Sequence, residues 1–247
     1  MTRRTAQRLC RKPRLSPARY VGNPPTASAL WHSVISVTAP RFVLASASPA
    51  RLRTLRAAGL DPDVVVSGVD ESIVESSSAR TLCATLARLK AEAVASRLRH
   101  HERPAGVTLV LGCDSVLEFE SEMLGKPDDD ADALKRWQRM RGNAGTLHTG
   151  HCLIEVDSGA AAEEVGSTTV YFAALTDEEI QAYVGTGEPA HVAGAFTIDG
   201  LGGWFVDRIE GDAGTVIGVS LPVLRRLLRE LGVGVPELWS AGLPSSP

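Results

Sequence analysis

Several absences bound this 247-residue chain before any motif is read. It has no apolar run of the about 18 residues that a membrane-crossing helix needs, so a soluble protein with no membrane partner is expected. It has only four cysteines, Cys10, Cys83, Cys113 and Cys152, and no two of them form a Cys-x-x-Cys pair. That spacing signals neither a zinc site nor a disulfide framework and leaves buried free thiols as the expectation. It has no strong charge of either sign, the formal net value being -3. Any anion it binds must then be met by a local cluster of cations, and nucleic acid is not an expected partner. No internal repeat is visible. What remains, 44% hydrophobic and 22% charged residues, is the composition of a globular protein in which one sizeable domain suffices.

Acidic residues are missing from the first 40 positions, which carry Arg3, Arg4, Arg8, Arg11, Lys12, Arg14 and Arg19 together with several prolines. This composition reads as a disordered basic extension, 1–40, ahead of a domain over 41–235 and a short tail, 236–247. A targeting segment, a nucleic-acid-binding arm and an export signal built on Ala29 to Val37 are competing readings. His32 and two serines suit that last segment poorly to export. Translation beginning further on, for instance near Val37, is a fourth reading. Cytoplasm is the expected compartment.

Ordered sequence opens with Arg41-Phe42-Val43-Leu44-Ala45, an apolar run that reads as a buried strand. Ser48 is a good N-cap for the helix that follows, Pro49 suits its first position, and Gly59 can supply a left-handed stop. Thr81 to His100 reads as a long amphipathic helix with Leu82, Leu86, Leu89 and Ala93 on its apolar side. Val107 to Leu111 reads as a strand ending at Gly112, and Val116 to Met123 as another. Asp128 to Met140 reads as a helix whose acidic first turn suits the dipole. Strands are expected at Thr149 to Val156, Ser167 to Ala174 and Trp204 to Ile209, with loop and strand edge over Gly194 to Gly203. Thr176-Asp-Glu-Glu179 is a capping box opening a helix that stops at Gly185. Ser220 caps a last helix, Pro222 to Leu231, with Leu224, Leu227, Leu228 and Leu231 inward. The alternation gives an α/β fold with a mixed sheet.

The candidate chemistry lies at the strand ends. Ser46-Ala47-Ser48-Pro49-Ala50-Arg51 places two hydroxyls, free backbone N–H groups and a guanidinium at a helix start, which suits a phosphate. The competing reading is that Ser48 merely caps the helix and Arg51 points into water. Asp114, expected just past the Val107 to Leu111 strand, is a candidate metal ligand or general base where α/β folds open their ligand crevice. It can equally be a turn aspartate. Asp70 and Glu71 follow Val64-Val65-Val66 and can complete an oxygen-ligand site for magnesium or manganese, or form a solvated loop. Lys90 and Lys126 are further phosphate candidates. Together these are the parts of a metal-assisted phosphate-transfer or hydrolysis site.

The order of the motifs narrows this. Leu44-Ala-Ser-Ala-Ser-Pro49, Gly68-Val-Asp-Glu71, Leu86-Ala-Arg-Leu-Lys-Ala91, Gly112-Cys-Asp-Ser115 and Gly125-Lys-Pro127 resemble, in order and spacing, the blocks of the Maf family of nucleoside triphosphate pyrophosphatases. Leu175-Thr-Asp-Glu-Glu-Ile180, Thr186-Gly-Glu-Pro189, Ala193-Gly-Ala195 and Gly200-Leu-Gly-Gly203 resemble its later blocks, so the resemblance runs from about Phe42 to Leu231. It implies a fold like that of the inosine triphosphate pyrophosphatase group, with a long mixed β-sheet and flanking helices forming two lobes around a cleft, and a homodimer. It implies a hydrolase that splits nucleoside triphosphates, standard or modified, into monophosphate and pyrophosphate with Mg2+ or Mn2+.

The same resemblance assigns roles. Asp114 matches the catalytic acidic residue, a proton acceptor, and a metal ligand, Glu71 a metal ligand, and Ser46, Ser48, Arg51, Lys90 and Lys126 the triphosphate-binding positions. Ala50, Ser115 and Asp199 match the three specificity positions. Relatives of the dTTP/UTP type carry Arg, Thr and Gln there and those of the 7-methyl-GTP type Trp, Gln and Glu, so this chain fits neither. The alternative function is a nucleotide-binding regulator of septum formation in which catalysis is not essential.

Overall fold

The computed structural model describes residues 39–100 and 106–239. Most of the expected basic extension, 1–38, and most of the expected C-terminal tail lie outside the described residues. A seven-stranded mixed sheet runs in the order β2-β1-β3-β5-β6-β7, with β4 paired to β3 off this path. β1 (Arg41–Leu44) leads through α1 (Pro49–Ala57) to β2 (Asp63–Val64), its parallel neighbour. A 21-residue helix α2 (Ala79–Arg99) follows, then β3 (Thr108–Phe119), parallel to β1. β4 (Glu122–Leu124), α3 (Asp130–Met140), β5 (Ala144–Glu155) and β6 (Ala161–Phe172) come next. All strand pairs from β3 to β7 (Val206–Glu210) are antiparallel. Three more helices complete the chain's second half, α4 (Asp177–Val184), α5 (Ala213–Ile217) and α6 (Leu221–Glu230), and α7 (Val235–Leu238) ends it.

The locally encoded features form as the sequence reading expects. Ser48 caps α1 by accepting the Arg51 N–H, with Pro49 in the first turn, and Gly59 takes a left-handed φ of 85°. Thr176 and Glu179 make both bonds of a capping box on α4. Ser220 caps α6, whose Leu224, Leu227 and Leu228 are buried.

Three expectations are corrected. The two strands expected at Val107 to Leu111 and Val116 to Met123 are one 12-residue strand, β3, followed by the short return β4. Asp114 therefore stands within a strand and not just past one, because Gly112-Cys-Asp-Ser115 is held as strand by β5 along its full length. The buried face of α2 is Ala79, Cys83, Leu86, Ala87, Lys90, Ala91, Val94 and Ala95, while Leu82, Leu89 and Ala93 are only half-buried. The Gly194 to Gly203 stretch forms short 3₁₀ turns, Ala193–Ala195 and Leu201–Phe205, where loop and strand edge were expected.

Small residues face the sheet on α2 because the helix lies very close to it. A Cβ on Gly112 of β3 would run into the Ala87 carbonyl, and one on Gly150 of β5 into the Cys83 carbonyl. The helix thus packs backbone to backbone over β3 and β5, with Val43, Val110, Cys152 and Ile154 against Ala87, Ala91 and Val94. On the opposite face α1 and α6 bury Leu55, Val223, Leu224, Leu227 and Leu228 against Phe42, Leu44, Leu109, Leu111 and Leu153. A separate core lies further along β3, β5 and β6. There Trp137 of α3 meets Phe172 and Tyr183 edge-on at ring-centroid distances of 5.6 and 5.3 Å, beside Leu117, Phe119 and Phe196. The long strands β3, β5 and β6 thus carry two lobes, each with its own core.

The cleft follows from pairing. The last residue of β3 paired with β1 is Leu111, and the first paired with β4 is Leu117. Between them, among the described residues, one edge of β3 has no strand partner over Gly112 to Val116. Asp114 lies in the middle of that free edge, between the lobes.

Because backbone cannot retreat as a side chain can, Gly150→Ala should force α2 off the sheet. The expected loss is about 3 kcal/mol, at the upper end for overpacking. It should appear as a lower urea midpoint with an unchanged m-value.

Candidate active site

The site is built around one buried ammonium. Lys90, on the sheet-facing side of α2, places Nζ 2.6 Å from Asp114 Oδ1 and 2.6 Å from Glu71 Oε1. Lys90 and Asp114 are buried, whereas the Glu71 side chain is 55% exposed and closes the cluster from the solvent side. Glu71 opens a single 3₁₀ turn, Glu71–Ile73, in the loop between β2 and α2. Asp70 serves that loop alone, its Oδ1 accepting from the Ser72 N–H and hydroxyl. Burial pushes the Asp114 carboxyl above the usual aspartate value, and the Lys90 and Arg51 charges pull it part of the way back.

Arg51 reaches the same stretch of β3 from the opposite face of the sheet. Its Nη1 donates to Ser46 Oγ at 3.0 Å and to the Cys113 carbonyl at 2.9 Å, its Nη2 to Ser115 Oγ at 3.0 Å, and its Nε to the Gly218 carbonyl at 2.8 Å. Four of its five N–H donors thus hold protein acceptors, leaving one on Nη2. The guanidinium therefore does not point into water, against the competing reading of this motif. Ser46 is buried, and its hydroxyl accepts from both Arg51 and the Ser48 N–H. Ser48 caps the helix and stays partly exposed.

The remaining expected residues are placed as follows. Lys126, exposed just after β4, stands on the other lobe, and no side-chain bond of its own is seen among the described residues. Ser115 Oγ shares a hydrogen bond with Thr149 Oγ1 at 2.9 Å, and Thr149 Oγ1 donates to the Thr215 carbonyl at 2.6 Å. Ala50 is half-buried in the first turn of α1. Asp199 pairs with Arg53 at 3.0 Å. Ser46, Ser48, Arg51 and Ser115 are thus gathered on one side of the free edge and Glu71, Lys90 and Asp114 on the other. Among the described residues no group of three His, Cys, Asp or Glu side chains is set for a metal.

Sequence reasoning missed Thr149, Thr215, Arg53 and His151. His151 is buried on the Arg51 face, where its Nε2 accepts the Ser220 N–H at 2.8 Å and its Nδ1 has no partner among the described residues. Burial and the nearby Arg51 charge lower its pKa to about 4. Nothing in Gly150-His151-Cys152 announces this, since the partners come from elsewhere in the chain. The three described cysteines are buried and free, as expected. Burial pushes the Cys113 and Cys83 thiols up to about 11 and about 12, so neither is a ready nucleophile.

A helix N-terminus, a free strand edge and a buried carboxylate–lysine pair, set between two lobes of a mixed sheet, define an α/β protein that gathers cations and carboxylates at its cleft. Residues 41–231 match the family described as Maf-like protein, and the chain belongs to that family. It is 63% identical over 207 residues to a nucleoside triphosphate pyrophosphatase of Salinispora tropica, covering 84% of this chain and 91% of the relative. It is 54% identical over 200 residues to the protein of that name from Streptomyces coelicolor, covering 81% of this chain and 95% of the relative. With that of Nostoc punctiforme the identity is 48% over 200 residues, covering 81% and 98%.

The neutral form of His151 should persist well below the usual histidine range. Its folded pKa lies below the unfolded value, so the folded state binds fewer protons there. Stability should therefore fall as pH drops from about 6.5 towards 4. A ¹³C or ¹⁵N NMR titration of the imidazole should give a midpoint near 4, and a midpoint near 6.5 would contradict this environment.

Proposed function

We propose that the chain is a nucleoside triphosphate pyrophosphatase, hydrolysing the α–β phosphoanhydride to release a nucleoside monophosphate and pyrophosphate. The observation that carries the reading is the Glu71–Lys90–Asp114 cluster at the free edge of β3, in a family whose relatives carry that name. Water adds to the α-phosphorus, the bond from that phosphorus to the bridging oxygen breaks, and the electrons leave on pyrophosphate. Asp114 takes the proton of the attacking water. Its raised pKa makes it a better base than an exposed aspartate, and the neighbouring Lys90 and Arg51 charges favour its ionised form.

The cations have separable tasks. Lys90 donates one N–H to Asp114 and forms an ion pair with Glu71, which leaves it a donor for a phosphate oxygen. Lys126 reaches the triphosphate from the second lobe. Ser46, Ser48 and the first turn of α1 offer hydroxyls and backbone N–H groups to the terminal phosphates. Arg51 holds Cys113, Ser115 and Ser46 in register, adds positive charge, and gives its remaining Nη2 hydrogen to the substrate. Ala50, Ser115 and Asp199 face the base.

A divalent ion fits the residues present. Glu71 and Asp114 already converge on one cation, the Lys90 ammonium, and Mg2+ or Mn2+ is held by one or two carboxylates together with phosphate oxygens and water. Bound there, such an ion would supply charge neutralisation for the phosphoryl oxygens. No helix of the described residues is long and apolar enough to cross a membrane, and a cytoplasmic homodimer accompanies this reading on the strength of the family resemblance.

The test is pyrophosphate release from a panel of standard and modified nucleoside triphosphates with Mg2+ and Mn2+. Asp114→Asn keeps the shape and hydrogen bonding capacity near Lys90 and should lower kcat by about 10²- to 10⁴-fold. In the wild-type protein kcat/KM should fall on the acid side at a pH above the ordinary aspartate range, as Asp114 gains its proton. Full turnover in the Asn variant would remove Asp114 from the chemistry, and nucleotide binding with no release under any metal would favour the septum-regulator alternative.

A further inference from the structure

Arg53 lies one helical turn beyond Ala50, on the same side of α1. Its Nη2 donates to Asp199 Oδ2 at 3.0 Å. The two residues belong to different lobes. α1 packs through Leu55 into the core shared with α6, whereas Asp199 follows Ala195, Phe196 and Ile198, which pack with Trp137 and Tyr183. The ion pair therefore bridges the mouth of the cleft, on the side where Arg51 and Ser115 stand.

Asp199 is also bonded within its own loop. Its Oδ1 accepts a hydrogen bond from the Thr197 hydroxyl, and the loop just beyond it is pinned by Glu188. Glu188 accepts the Leu201 and Gly202 N–H groups at 2.9 and 2.8 Å and the Tyr183 hydroxyl at 2.9 Å. A carboxylate offers about four lone-pair positions, two on each oxygen. Thr197 takes one on Oδ1 and Arg53 one on Oδ2, so each oxygen keeps one. The Asp199 side chain is 26% exposed, open enough for a ligand to reach those positions.

We infer that Arg53 is a positioning residue for base recognition, holding Asp199 across the cleft so that its two oxygens accept from two adjacent N–H donors on the base. The inference rests on the pyrophosphatase reading above, in which Asp199 faces the base. It names a substrate class. A carboxylate is an acceptor only, so it selects bases whose edge presents donors, and guanine presents two neighbouring ones, the ring N1–H and the 2-amino group. Adenine and cytosine offer one amino donor beside an acceptor, and uracil and thymine one imino donor between acceptors. Hypoxanthine keeps N1–H but lacks the 2-amino group, which makes it the sharpest comparison.

The experiment measures binding of α,β-methylene analogues of GTP and ITP, which cannot be cleaved at the α–β bond, by calorimetry. Wild-type protein, Arg53→Gln, Arg53→Lys and Asp199→Asn are compared, with kcat and KM for GTP and ITP measured alongside. One charge-assisted hydrogen bond separates the two bases, so the wild type should favour the guanosine analogue by about tenfold or more. Arg53→Gln should bring that ratio close to one and raise KM for GTP far more than it lowers kcat. Arg53→Lys should restore part of the preference, and Asp199→Asn should abolish it. An unchanged ratio in Arg53→Gln, a wild-type ratio within twofold, or no binding of either analogue would overturn the inference. Tight, base-selective binding without pyrophosphate release would instead sink the pyrophosphatase reading and leave this one standing.

Discussion

The close approach of α2 to the sheet is the constraint from which the site follows. Gly112 and Gly150 lack side chains where the helix crosses, and Ala87 and Ala91 keep its facing side low. That brings Lys90, between the two alanines, within 2.6 Å of a carboxylate rooted in the middle of β3. Burying an ammonium and a carboxylate costs several kcal/mol per ion unless their attraction and hydrogen bonds return it. The pair is therefore weak evidence for stability and better explained by what it prepares: a carboxylate with raised proton affinity beside a cation with a donor to spare. A bulkier helix face would have packed a larger apolar core and left Asp114 without its partner.

The second constraint is the free edge of β3. A strand that pairs with β1 up to Leu111 and with β4 from Leu117 leaves a five-residue interval, 112–116, whose edge no strand of the described residues covers. Backbone polar groups left this way need partners or solvent. Arg51 satisfies the Cys113 carbonyl from one face, while Asp114 turns its side chain to Lys90 on the other. Adjacent residues of a strand point to opposite faces, so Cys113, Asp114 and Ser115 address both sides of the sheet from one short stretch. The Arg53–Asp199 pair then ties together the lobes that this interval separates.

Much of the fold was legible in the order of the residues. The caps of α1, α4 and α6 depend on atoms within three or four positions, and they formed where serine, proline, threonine and glutamate stood. β3 was misread because Gly112-Cys-Asp-Ser115 breaks an apolar run as a turn would. Only the bonding to β5 across the sheet keeps that stretch extended. The face of α2 was misread for a related reason: leucine spacing marks an apolar stripe, but a helix laid against glycines buries its small residues instead.

The candidate residues Ser46, Ser48, Arg51, Glu71, Lys90 and Asp114 could all be named from the chain, since strand-end motifs and the family resemblance pick them out one by one. Their relations could not. Lys90 lies 24 positions from Asp114, and Arg53 lies 146 from Asp199. By itself the sequence determined which helices begin where, which residue types can hold phosphate, and which family the chain resembles, because those depend on local hydrogen bonds and on motif order. That one ammonium joins both carboxylates, that Arg51 grips the backbone of β3, and that a salt bridge spans the lobes was decided only by the tertiary structure. Distances between remote side chains are set by how the sheet is ordered and how near each helix can come to it.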